Sequence, residues 1–139
     1  MTTPKNLIHS NRLDGSVVAI TGAGSGNGKA SALRTGREGA SLYISDINAE
    51  LLEETIGDLK SEGIDAAGGI FDAANIDDAP RFVAAVKEAH GRIDVLVNNA
   101  GAVRIEPFPN VSEENWDWTM NLNLKGAFFL MQEAAKEMI

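Results

Sequence analysis

TGAGSGNGKA, residues 21–30, joins a short β-branched run, VVAIT (17–21), to a stretch with helical spacing, GKASALRTGREG (28–39). A glycine-rich turn between a strand and a helix is where an α/β nucleotide-binding protein places its phosphate loop. Three patterns compete for these ten residues. A Walker A loop requires Gly at position 23 and Ser or Thr at position 30, where this chain has Ala23 and Ala30. The strict G-x-G-x-x-G ends on Asn27 when counted from Gly22 and on Lys29 when counted from Gly24. The spacing T-G-x-x-x-G-x-G fits, with Gly22, Gly26 and Gly28. In that reading Gly22 permits the sharp exit from the strand, and Gly26 lets backbone approach a pyrophosphate without a Cβ in between. Gly28 lets the helix lie close to the sheet, and its N-terminal N–H groups face the phosphates. A turn that serves packing alone is the competing reading, and its place between strand and helix favours dinucleotide binding over it.

Outward from this turn, short apolar runs alternate with amphipathic ones. SLYISD (41–46) reads as a second strand, AAGGIFD (66–72) as a third and IDVLVNNAG (93–101) as the fourth and most apolar. Asn48 caps a helix over 49–62, with Leu52, Ile56 and Leu59 on one face and Gly63 at its end. A further helix runs from about Asp77 to His90, tolerates Pro80 in its first turn and stops at Gly91. Ser112 caps one long final helix, with Glu113 and Glu114 in the first turn. Apolar strands that alternate with helices imply an α/β fold, a doubly wound parallel sheet of Rossmann type. It would have about four strands, with helices on both faces.

Asp46 ends the second strand, 24 residues after Gly22. A carboxylate there can accept both hydroxyls of an adenosine ribose and would repel a 2′-phosphate. No Lys or Arg lies among residues 44–49 to receive such a phosphate, so NAD is expected over NADP. The competing reading is a strand-end Asp that caps the next helix.

Composition narrows the classes. The 139 residues carry 20 acidic against 12 basic side chains, net −8, which argues against a nucleic-acid partner. There is no cysteine, so disulfides, thiolate metal sites and thiol nucleophiles are excluded. No apolar run approaches membrane-span length, MTTPKNLIHSNR lacks a signal-peptide core, and no metal site is expected; a cytoplasmic location follows as the default. Residues 1–12 read as a flexible terminal segment and 13–139 as the dinucleotide-binding domain.

Together these motifs resemble the short-chain dehydrogenase/reductase family. TGAGSGNG carries one mark, VNNAG (97–101) a second, and WDWTMNLNLKG (116–126) a third; Asp72 fits the family's adenine-contacting Asp. The resemblance covers about Leu13 to Ile139. It implies an NAD-dependent oxidoreductase that transfers hydride between nicotinamide and an alcohol or carbonyl. Gly22, Ser25, Gly26, Asn27 and Gly28 would line the phosphates and adjoining ribose, Asp46 the adenosine ribose, and Asp72 with Ala73 the adenine. Asn99 would lie by the nicotinamide-side ribose, Asn98 would tie the central strands together, and Asn123 would kink its helix and hold a water of a proton relay. Asn27 stands where the family usually has an aliphatic residue.

The family's proton-moving Ser and Tyr-x-x-x-Lys are missing: the one tyrosine, Tyr43, lies in the second strand and is followed four residues later by Ile47. This chain is therefore expected to be the cofactor half, with the catalytic and substrate half absent. A small alcohol or ketone would be the substrate only with that half present. A non-catalytic product that binds NAD weakly or dimerises is the alternative. His9 and His90 read as solvated. Leu124, Phe128, Met131, Ala135 and Met138 form an apolar stripe, widened by Ala127, Leu130 and Ala134, that the resemblance assigns to a homo-oligomer contact.

Overall fold

A computed structural model describes residues 11–139, so His9 and most of the expected flexible segment lie outside the described residues. Four parallel strands, β1 (Val17–Thr21), β2 (Ser41–Asp46), β3 (Ala66–Ile70) and β4 (Val95–Val97), form one sheet in the order β3-β2-β1-β4. Helices α1 (Gly26–Arg37), α2 (Ala49–Ser61) and α3 (Ala79–His90) connect them. The period-2 alternation of β1 splits its side chains between two cores. Val18 and Ile20 meet Leu42, Ile44, Ala32, Leu52 and Leu59 on the face covered by α1 and α2. Val17 and Ala19 meet Tyr43, Phe82, Val86, Leu130 and Ala134 on the other. The sheet is covered on both sides, as a doubly wound Rossmann-type fold requires.

Local signals set most element ends. The Asn48 side chain accepts the Leu51 N–H at 3.1 Å and starts α2. Gly91, at φ 80°, ends α3 in the left-handed conformation. The turn expected to open that helix at Asp77 is instead a 3₁₀ turn, Ile76–Asp78, whose Asp77 N–H is taken by the Asn75 side chain at 3.1 Å. Arg12 is paired with the buried Glu38, so the end of the expected flexible segment is anchored.

Two expectations need correction. The fourth strand is only three residues long, and at both its ends side chains join the bonding to β1. The Asp94 carboxylate accepts the Val17 N–H at 2.8 Å, and beyond Val97 the Asn99 N–H turns to the Thr21 hydroxyl at 3.1 Å. β4 is an edge strand of the sheet, with Val95 37% exposed. His90 is not solvated: its side chain is 8% exposed and Nε2 lies 3.0 Å from the Leu42 carbonyl oxygen.

The last helix is three segments. Helix α4 (Glu113–Met120), capped by the Ser112 hydroxyl on the Asn115 N–H, runs into a π-helical turn at Asn121–Gly126 and then into α5 (Ala127–Met138). A π turn widens the helix by one residue and frees backbone groups for other partners. The π turn and α5 divide their apolar surface: Leu130 and Ala134 are buried beside α3, while Leu124, Phe128, Met131 and Met138 are between 42% and 59% exposed. Lys87 on α3 and Glu137 on α5 form an ion pair at the outer rim of that contact. No helix among the described residues is long and apolar enough to cross a membrane.

Candidate functional site

A cavity of about 430 Å³ opens beyond the carboxyl ends of β1, β2, β3 and β4. That is within the range of small-molecule sites and at the place where open α/β sheets bind ligands. Gly22 and Ser25 border it from the first turn, Asp46 and Ile47 from the end of β2, Phe71 to Ala74 from the loop after β3, and Asn99 to Ala102 from the loop after β4. Trp118 and Leu122 close it from the helical side. Six of the residues singled out in the sequence thus meet in one cavity: Gly22, Ser25, Asp46, Asp72, Ala73 and Asn99. Gly26, Asn27, Gly28 and Asn123 do not line it.

The glycine turn is built in layers. Gly22 has φ +65°, and a Cβ on it would lie 2.9 Å from the Ala100 Cα, so the turn needs glycine twice over. Ser25, Gly26 and Asn27 are exposed at the start of α1. The Ser25 side chain makes no cap hydrogen bond, and the first N–H groups of a helix have no intrahelical acceptor. Gly28 serves packing, as expected, but against the turn rather than the sheet: its Cβ would meet the Gly22 carbonyl oxygen at 2.1 Å. Lys29 is turned away from the cavity onto α2, where it pairs with Asp58 at 2.7 Å and Glu54 at 3.2 Å.

Asp46 is not a helix cap in the sense first weighed. Its Oδ2 accepts the Gly24 N–H and its Oδ1 the Asn48 N–H, both at 2.9 Å, while Asn48 does the capping. A carboxylate offers about four acceptor positions, so Asp46 retains capacity toward the cavity. Asp72 lies two residues beyond the end of β3 and uses Oδ1 to accept the Ala74 N–H at 2.9 Å. Among the described residues, these two carboxylates are the only charged groups that line the cavity, and neither Lys nor Arg does.

Asn99 lines the cavity and also makes the strand tie expected of Asn98. Asn99 ties strand ends together, with its Nδ2 donating to the Thr21 and Gly22 carbonyls at 3.0 and 3.1 Å. Asn98 instead reaches out of the sheet and donates to the Ala127 carbonyl at 2.7 Å, which pins the start of α5. Asn123 lies in the π turn, where the expected break in the helix occurs. Its Nδ2 donates to the carbonyls of Ala102, at 2.7 Å, and Thr119, at 2.9 Å, and its Oδ1 accepts the Ala102 N–H at 3.1 Å. The side chain so pairs with the Ala102 backbone as a strand would.

Sequence reasoning missed several parts of the site. Thr21 is fully buried, and its hydroxyl accepts the N–H groups of both Asn99 and Ala100, at 3.1 and 3.0 Å. The Thr of the T-G-x-x-x-G-x-G spacing was the available signal. The buried Thr55 hydroxyl donates to the Gly24 carbonyl at 3.2 Å. Trp118 carries the Arg104 guanidinium 4.1 Å from its ring centre, and Asn115 holds the Arg104 carbonyl at 2.9 Å. Tyr43 is only 8% exposed and packs edge-to-face on Phe82; burial, with the nearby Glu88 charge, pushes its hydroxyl up from the ordinary value. That is the reverse of what a proton-transferring tyrosine needs. Among the described residues no group of three metal-ligating side chains converges.

The family model for short chain dehydrogenase matches residues 16–139. An oxidoreductase of Thermotoga maritima is 44% identical over 124 residues, which is 89% of this chain and 49% of that protein. A short-chain dehydrogenase/reductase of Burkholderia phymatum, solved with NAD, superposes with a TM-score of 0.87 at 31% identity, covering 91% of this chain and 45% of that one. A metagenomic short-chain oxidoreductase solved with NADP gives 0.85 at 33% identity, covering 91% and 57%. The chain spans about half the length of the curated relatives it matches.

Proposed function

Because the chain belongs to the short-chain dehydrogenase family, we propose that it is the dinucleotide-binding half of an NAD-dependent oxidoreductase acting on an alcohol or carbonyl. One observation carries the cofactor preference. The cavity beyond the strand ends presents two carboxylates and, among the described residues, no cation, with Asp46 set beside the glycine turn. A ribose with two free hydroxyls suits that wall, whereas a 2′-phosphate would meet Asp46 without a counter-charge.

The residues present fit such a cofactor. The exposed start of α1, at Ser25, Gly26 and Asn27, offers N–H groups and a positive helix end to a pyrophosphate, over the backbone that Gly22 and Gly28 bring together. Asp46 would hold the adenosine ribose, Asp72 with Ala73 would flank the adenine, and Asn99 would stand beside the nicotinamide-side ribose. Bound there, the nicotinamide ring would supply hydride chemistry at its C4 carbon. Asn123 would position the Gly101–Ala102 wall, with its remaining Oδ1 lone pair available to a water of the proton relay. Neither the Ser nor the Tyr-x-x-x-Lys that would move the substrate proton is present in these 139 residues. The rest of the length seen in relatives would supply them, along with the substrate pocket. The exposed stripe Leu124, Phe128, Met131 and Met138 along the π turn and α5 supports association with a second copy.

The test is calorimetric titration of NAD and NADP into the protein and its Asp46→Ala variant. Tighter binding of NAD, with a loss on substitution that is at least tenfold larger for NAD than for NADP, supports the reading. An equal loss for both cofactors would reduce Asp46 to a structural turn residue and remove the basis for NAD.

A further inference from the structure

We infer that Gly24 is a positioning residue for cofactor choice: it seats the Asp46 carboxylate, and the absence of a side chain at position 24 sets how far that carboxylate reaches into the cavity. The inference rests on the proposed role of Asp46 and extends it to a residue outside the glycine spacing.

Gly24 is held from three sides. Its N–H donates to Asp46 Oδ2 at 2.9 Å, its carbonyl accepts the buried Thr55 hydroxyl at 3.2 Å, and its own N-terminal neighbour, Ala23, donates its N–H to the Ser45 carbonyl at 2.9 Å. The glycine turn is thereby fastened to the end of β2 and to α2 at one residue. A Cβ at Gly24 would lie 2.9 Å from the Asp46 Cγ, 2.9 Å from its Oδ2 and 2.9 Å from the Leu51 Cβ. All three atoms belong to the corner between β2 and α2, so a side chain here pushes on the carboxylate and on the helix that follows it.

The reason for glycine at this position is therefore steric and local. Gly24 is not among the residues at positive φ, so alanine can adopt its backbone without strain. What alanine cannot do is leave Asp46 where it is. Displaced, the carboxylate loses its hydrogen bond to the turn and its fixed aim, and discrimination between a 2′-hydroxyl and a 2′-phosphate weakens with it. Gly22, by contrast, combines positive φ with backbone crowding, so its replacement reports on folding rather than on Asp46.

The experiment is a double-mutant cycle on the protein in its full natural length. NAD and NADP dissociation constants are measured for wild type, Gly24→Ala, Asp46→Ala and the double variant, with thermal melting as a check on folding. Gly24→Ala is expected to lower the preference for NAD over NADP at least threefold, and to change it by less than 1.5-fold when Asp46 is already alanine. A preference unchanged by Gly24→Ala in the wild-type background overturns the inference while leaving the role of Asp46 intact. The same shift with and without Asp46 also overturns it, since Gly24 would then act by another route. Should Asp46→Ala itself leave the preference unchanged, the cofactor reading fails first and the inference with it. Thr55→Val, which removes the hydroxyl that holds the Gly24 carbonyl without adding a Cβ at position 24, is a second variant for the case in which Gly24→Ala melts far below wild type, with the same three outcomes.

Discussion

Replacing Gly126 with alanine puts two opposed effects at one position. In a helix interior the change ordinarily stabilises, because glycine is about 1 kcal/mol worse than alanine there. At Gly126 the new Cβ would lie 1.7 Å from the Ala73 carbonyl oxygen and 2.9 Å from its carbon, whereas real Cβ contacts essentially never fall under 3.0 Å. The obstacle is backbone, not the end of a flexible side chain. Relief requires the π turn to back away from the loop that carries Asp72 and Ala73, and α5 is held in place by Leu130 and Ala134 in the core. Overpacking of this kind costs about 1–3 kcal/mol beyond the propensity gain. We expect a net loss of about 2 kcal/mol in urea denaturation with the m-value unchanged. Gly57→Ala is the matched control: Gly57 lies in α2 with nothing within 4 Å of its Cβ position, so the same substitution should stabilise by about 0.5–1 kcal/mol. If Gly126→Ala proved as stable as wild type while Gly57→Ala stabilised, close backbone approach would not be the reason for glycine in this helix.

Two further outcomes are expected. The Asp94 carboxyl is held below its ordinary value of 3.8, first by the Val17 N–H and then by Arg92, so the stability it lends is complete above that value and is lost as pH falls through the lowered one. Asp94→Asn should therefore flatten the fall in stability on acidification below about pH 4, and an unchanged acid limb would show that this carboxylate is not part of it. If the α5 stripe joins two copies, Met131→Glu should shift sedimentation velocity toward the smaller species; an unchanged distribution would place any association elsewhere.

What could be read from the sequence followed the range of the interactions involved. β1 and β2 begin and end where the VVAIT and SLYISD runs do, because burial on both faces is written in their apolar residues. At the ends of β4, Asp94 and Asn99 bond to residues of β1 more than seventy positions earlier, which no local pattern reports. The three weak helix formers Asn121, Asn123 and Gly126 marked a helix that departs from regularity. That the departure is a π turn depends on Ala102 and Ala73, both remote in sequence. In the cavity, Gly22 and Asp46 were legible because a spacing and a strand end single them out, and Asn99 through the resemblance that VNNAG carries. Gly24 and Thr55 were not, since their importance comes from Asp46 lying against one and the other holding it. His90 read as a surface residue at a helix end, and only its reach to the Leu42 carbonyl explains its burial.

The central claim is that the cavity beyond the strand ends holds NAD. Backbone amide NMR shifts recorded during an NAD titration test it most directly. Saturable shifts are expected at Ser25, Gly26, Asn27 and Gly28 and at Asp46, Asp72, Ala73 and Asn99, with weaker and incomplete changes on adding NADP. Shifts absent from those amides, or larger with NADP than with NAD, would contradict it.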